Sequence, residues 1–161
     1  MHRYFKVCKG YDDLEVLLPT RCTARSAGYD FFAPKDVVVP SIWKAQNILG
    51  LIRKKIQPTI VWTHVKARMY GNEYLALHNR SSNPKKFGLI LANGVGIVDA
   101  DYYGNPDNDG DIGFAFYNIL PWDVLIRKGT RIGQGIFQTF LKVDSDMNRK
   151  ERTGGFGSTD N

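Results

Sequence analysis

The feature that most restricts this chain's fold is its division into short apolar runs separated by turn-forming clusters. Residues 14–18, 37–39, 60–65, 74–78, 88–91, 112–120, 124–126 and 132–141 are rich in β-branched, aromatic or alternating apolar side chains. Between them stand clusters such as Gly104-Asn105-Pro106-Asp107 and Asn108-Asp109-Gly110. Runs of that length, bounded in that way, predict strands, and many of them at near-regular spacing predict an all-β sandwich or barrel.

At 161 residues the chain suits one domain. The 22 Lys and Arg against 16 Asp and Glu give a net charge of +6, which draws phosphate-bearing partners. No long Lys/Arg run is present, so no stable nucleic-acid binding is expected. Cys8 and Cys22 form no CxxC spacing and read as free thiols of a reducing compartment. No apolar run approaches the roughly 20 residues of a membrane helix, and the first residues lack the apolar core of a signal peptide. A cytoplasmic protein is expected.

One stretch departs from the strand pattern. Ile42, Ala45, Ile48, Leu49, Ile52 and Ile56 fall near helical spacing, with Lys44, Arg53, Lys54 and Lys55 interleaved. Residues 41–59 therefore read as a helical insertion packed on the sheet, or alternatively as one that binds a partner. Residues 142–161 turn polar and then glycine-rich, as a flexible arm does, which leaves 1–141 as the β domain.

Several segments carry chemistry. Near the end, Gly154-Gly155-Phe156-Gly157-Ser158-Thr159 combines backbone amides free to approach a phosphate, two hydroxyls and an aromatic ring. Arg152 adds a guanidinium that can fork onto a phosphate. The segment is either a ligand-closing arm or a tail with an incidental Phe. Arg80-Ser81-Ser82 is a second anion-site candidate. In the run Gly94-Val95-Gly96-Ile97-Val98-Asp99, two glycines lead into an apolar run that ends in a carboxylate. That carboxylate is either a general base or one of several solvated turn aspartates. Arg131-Ile132-Gly133-Gln134 opens a late strand with an amide that can donate to a phosphoryl oxygen.

The order of these segments is more specific than any one of them. Ala27-Gly28-Tyr29-Asp30-Phe31-Phe32-Ala33, Arg80-Ser81-Ser82, the segment from Gly96 through Asp99 and Tyr102 to Gly104, Arg131-Ile132-Gly133-Gln134, and Gly155-Phe156-Gly157-Ser158-Thr159 together resemble the ordered motifs of the homotrimeric dUTPase family. The resemblance runs from about Ala27 to Thr159 and is similar to the variety found in Gram-positive bacteria and their phages. It implies a jelly-roll-like (β-clip) fold. It also implies a homotrimer with active sites at subunit interfaces, each closed by a neighbour's arm, and hydrolysis of dUTP to dUMP and pyrophosphate.

The resemblance also implies residue roles. Asp99 matches the catalytic aspartate, which activates a water for attack on the α-phosphorus. Asn93, Gly94 and Val98 fall in the hairpin that reads the uracil edge, and Tyr102 matches the aromatic beneath the deoxyribose. Arg80, Ser81 and Gln134 match phosphate contacts, with Ser82 beside them. In the arm, Phe156 would cover the uracil while Arg152, Gly157, Ser158 and Thr159 hold the γ-phosphate. Asp30 matches an aspartate that places Mg²⁺ through water. The chain departs from the pattern at Gly133, where Ala is common, and at Asp160, where Gly is common. Trp62 and His64 stand where Pro and Gly are common, and Arg152 lies one residue nearer the Phe than is usual. A dCTP deaminase is the alternative on the same fold, but it would use a glutamate base where Asp99 stands. A regulatory protein bound through residues 41–59 is a further expectation, one that catalysis does not exclude.

Overall fold

The computed structural model describes residues 2–45 and 56–147. It is an all-β, jelly-roll-like fold of eleven strands: β1 Tyr4–Val7, β2 Tyr29–Phe32, β3 Val37–Val39, β4 Thr59–Trp62, β5 Val65–Arg68, β6 Glu73–Asn79, β7 Leu89–Leu91, β8 Gly96–Asp99, β9 Gly113–Asn118, β10 Val124–Ile126 and β11 Arg131–Thr139. A four-stranded sheet runs β2-β11-β6-β8 and a three-stranded sheet runs β4-β9-β7. The pairs β1-β5 and β3-β10 complete the layers, and every pairing between these strands is antiparallel.

Alternation along each strand determines which residues build the core. Phe31, Leu75, Leu77, Val98 and Ile132 point inward from the larger sheet, and Val61, Leu89, Leu91, Phe114 and Phe116 from the smaller. Their rings meet at the centre, with Phe31 and Phe114 centroids 5.4 Å apart. Each such side chain removed from water contributes roughly 1.5–3 kcal/mol.

The run 60–65, expected as one strand, breaks at Thr63-His64. His64 takes the left-handed conformation (φ 60). The bend sends β4 to β9 and β5 to β1, so one apolar run serves two sheets. Buried Asp111 holds it, accepting the His64 backbone N–H at 2.7 Å and lying 3.0 Å from Nδ1.

Residues 14–18 form no strand: Leu14, Leu17 and Leu18 are exposed, and only Val16 packs against the core. Conversely β1 lies outside the expected apolar runs and forms because Phe5 packs among Tyr29, Phe31 and Phe137. The expected helical insertion begins with a 3-10 turn, Ile42–Ala45, and residues 46–55 lie outside the described residues. Among the described residues no helix is long and apolar enough to cross a membrane.

Candidate active site

Two groups of predicted site residues lie on the four-stranded sheet, and Asp30 and Gln134 of the first share a face with Asp99 of the second. The first centres on Asp30. Its buried carboxylate forms ion pairs with Arg80, whose Nε is 3.2 Å away, and with Arg131, whose Nε is 3.6 Å away, and it accepts the Cys22 thiol at 3.0 Å. Two guanidiniums against one carboxylate leave the cluster net positive, as a phosphate requires. Gln134 lies directly across from Asp30 in the β2–β11 register. The Asp30 carboxylate holds the Cys22 thiol above its ordinary range, so it stays protonated as a donor. Ser81 is exposed, and Ser82 begins the π-helical turn Asn83–Phe87 without a side-chain cap bond.

Arg131 and Cys22 are not among the binding groups that the sequence singles out. Arg131 could have been found from its place three residues before Gln134, at the start of the same strand. For Cys22 no local signal exists, because eight residues and a loop separate it from Asp30.

The second group is built on β8. Gly94 (φ 67) turns the chain between β7 and β8, with its N–H on Leu91 O at 3.1 Å and the Val95 N–H on Asn93 O at 2.7 Å. Along β8 the pattern alternates: Gly96 and Val98 are buried, Ile97 and Asp99 exposed. Val98 therefore packs its side chain into the core and could face a ligand only through its backbone. Asp99 ends the strand, pairs in register with Tyr74, and lines an open cleft of about 470 Å³ with Arg68, Asp101, Phe140 and Lys142. Its extended backbone then passes into the 3-10 turn Ala100–Tyr102. Tyr102 is buried, its hydroxyl donating to Asp111 O at 3.2 Å and accepting from Asn108 Nδ2 at 2.7 Å. The turn that carries Asp99 is thereby anchored in the core. Arg152, Phe156, Gly157, Ser158 and Thr159 lie outside the described residues.

Register fixes how far apart the two groups stand. Asp30 lies opposite Gln134 and Gln134 opposite His78, whereas Asp99 lies opposite Tyr74, four residues from His78 on β6. Three strand spacings of about 4.8 Å and four residues of about 3.3 Å put the two aspartates roughly 20 Å apart along the sheet. A single chain thus presents both groups on one face without bringing them together. Among the described residues no three His, Cys, Asp or Glu side chains converge to hold a metal ion.

The family model described as dUTPase matches residues 15–160 of this chain. The deoxyuridine 5'-triphosphate nucleotidohydrolase of Lactococcus lactis subsp. lactis (strain IL1403) is 42% identical over 159 residues, covering 98% of this chain and 97% of that protein. The crystal structure of dUTPase from Streptococcus mutans superposes with a TM-score of 0.72 at 39% identity, over 87% of this chain and 98% of the other. A point mutant of the dUTPase from phage phi11 of S. aureus, described with a structural Mg(II) ion, shares the fold at a TM-score of 0.66 and 15% identity, over 93% and 98% of the two chains.

Proposed function

The chain belongs to the dUTPase family and is a dUTP-hydrolysing enzyme; from that premise we propose that Asp99 is its general base, in a site that a second copy of the chain completes. In this reading Asp99 takes a proton from a water as that water attacks the α-phosphorus in line, releasing dUMP and pyrophosphate. The separation of Asp99 from the Asp30 cluster carries the reading. A base acting through one water must stand within a few ångströms of the phosphorus, and roughly 20 Å is too far. The Asp99 of one protomer therefore serves phosphates held by the Arg80, Ser81, Ser82, Arg131 and Gln134 of its neighbour. A closed three-fold ring repeats that contact three times, giving a homotrimer.

The remaining roles follow from position. Asn93, Gly94 and the backbone of Val98 line the uracil side. Tyr102, its hydroxyl committed to Asp111, offers the sugar a ring and no hydrogen bond. Arg152, Phe156, Gly157, Ser158 and Thr159 close over the nucleotide and exclude water other than the nucleophile.

The substrate is the Mg²⁺ complex of dUTP. Among the described residues no set of protein ligands converges, which fits an ion carried chiefly by the phosphates, with Asp30 reaching it through water. When bound, the ion neutralises charge on the departing pyrophosphate. The reaction keeps uracil out of DNA and supplies dUMP for dTMP synthesis.

Pyrophosphate release measured side by side with dUTP, dTTP, UTP and dCTP tests the specificity. Only dUTP should be turned over efficiently; equal rates with dTTP or UTP, or ammonia released from dCTP, would overturn it.

A second reading concerns a regulatory protein bound through residues 41–59. Trp43 and Trp122 stand exposed where that segment leaves the sheet, which favours a docking role. Capture from a host lysate with and without residues 46–55 tests it, and an unchanged set of captured proteins would remove its support.

A further inference from the structure

The row that contains Asp30 and Gln134 has a third member. His78 on β6 lies directly opposite Gln134 on β11, which in turn lies opposite Asp30 on β2. Side chains paired in this way project from the same face, with Cβ atoms about 4.5–5.5 Å apart. Arg80 follows His78 by two residues in the chain.

His78 has one feature that no other described residue shares. Its Nε2 is the only buried side-chain nitrogen or oxygen without a hydrogen-bond partner among the described residues. A buried polar atom left unpaired bears its desolvation cost uncompensated, so proteins keep few of them. Such an atom in the middle of a binding row points to a bond that forms only in another state of the site.

Gln134 can supply that bond. Its carboxamide oxygen Oε1 lies against Gly28, where a Cβ would stand only 2.2 Å from it. A carboxamide has an acceptor end and a donor end. When the NH₂ donates to a phosphate oxygen, the orientation of the group depends on what holds the oxygen end. Gly28 has no side chain and offers no side-chain donor. His78, on the opposite flank of Gln134, has an imidazole N–H to give.

We propose that His78 is a positioning residue for phosphate recognition. On substrate binding, Gln134 turns Oε1 from Gly28 to His78 Nε2–H, which holds the NH₂ end on the phosphate. The proposal rests on Gln134 being a phosphate contact. It makes His78 part of the binding step, although the imidazole touches no substrate atom.

The test is a double-mutant cycle read by KM for dUTP and by thermal melting. His78→Leu removes the donor and keeps an apolar volume. It should raise KM about tenfold, the scale of one lost hydrogen bond, with a smaller change in kcat. The melting temperature should stay level or rise, because the orphaned nitrogen is gone. His78→Gln, which restores an N–H of similar reach, should recover most of the loss. In a Gln134→Ala background, His78→Leu should add nothing, because the group it positions is absent. An unchanged KM in His78→Leu overturns the proposal, as does a KM loss that adds fully to that of Gln134→Ala. A drop in trimer content by gel filtration with KM unaltered also overturns it, assigning Nε2 to a neighbouring subunit. If Gln134→Ala itself leaves KM unchanged, the fault lies in the phosphate role of Gln134.

Discussion

A Cβ placed on Gly28 would stand 2.2 Å from Gln134 Oε1, 3.0 Å from its Cδ and 3.2 Å from its Cβ. Only glycine lets the long amide of β11 lie across the start of β2 beside Asp30. The encroached atoms belong to a flexible side chain, so Gly28→Ala should fold and melt close to the wild type. It should push the carboxamide off Gly28 toward His78, the orientation of the bound state, and lower KM for dUTP. Steady-state kinetics with a parallel melting curve check both halves, and a KM raised about tenfold would mean that the Gly28-facing amide is the one that binds.

Asp99 is exposed at the end of β8, next to Val98, which packs into the core. Asp99→Asn keeps the shape and removes the proposed base. Turnover should fall by at least about 10²-fold, the usual scale for a lost general base, in a protein that still folds. Near-normal kcat in this variant would remove Asp99 from the chemistry.

The sequence made the strands legible where one face is buried and turns bound the run, as at β6, β9, β10 and β11. It failed where tertiary contacts decide. β1 is a strand because Phe5 finds Tyr29, Phe31 and Phe137, and none of these is near it in sequence. The break in the run 60–65 depends on Asp111, which lies 47 residues from His64. A His stands there where Gly is common because the carboxylate grips both its N–H and its ring. Gly133, where Ala is common, is explained in the same way: a Cβ there would lie 2.0 Å from Phe114 Cε1, so the ring occupies the space of the missing methyl. Motif order singles out Asp30, Arg80, Gln134 and Asp99. Only the sheet register shows that the first three sit at one corner of the face and the fourth at another.

Glu73 opens β6 buried, accepting from Arg3 Nε at 3.0 and 2.9 Å and from the Tyr70 N–H at 3.1 Å. The Arg3 hydrogen bonds hold its carboxyl below the ordinary value of 4.5, against the opposing effect of burial. A carboxyl depressed on folding contributes stability that is complete above its unfolded pKa and is lost as pH falls through its folded pKa. Glu73→Gln should therefore melt below the wild type at pH 7, and the gap should close as pH drops below 4.5. Melting curves from pH 7 to pH 3 give the comparison; a gap that is constant across that range would mean the pair contributes nothing through charge.

The distance between Asp99 and the Asp30 cluster leads to a prediction that single variants cannot make. On the proposed reading Asp99→Asn lacks the base, and Arg80→Ala lacks a phosphate anchor at the other corner of the sheet. Each homotrimer should be nearly inactive. If every site takes Asp99 from one chain and Arg80 from the next, co-expression of the two variants builds some sites from the intact half of each. With equal amounts and random assembly, either half is intact with even odds, so about a quarter of sites should be complete. Activity should return to that fraction of wild type, with a KM close to wild type because the recovered sites are unaltered. If each chain instead closed its own site, every chain in the mixture would carry a defect and no activity would return. Recovery near a quarter with normal KM is the expected result, and its absence in verified mixed trimers would rule out the shared site.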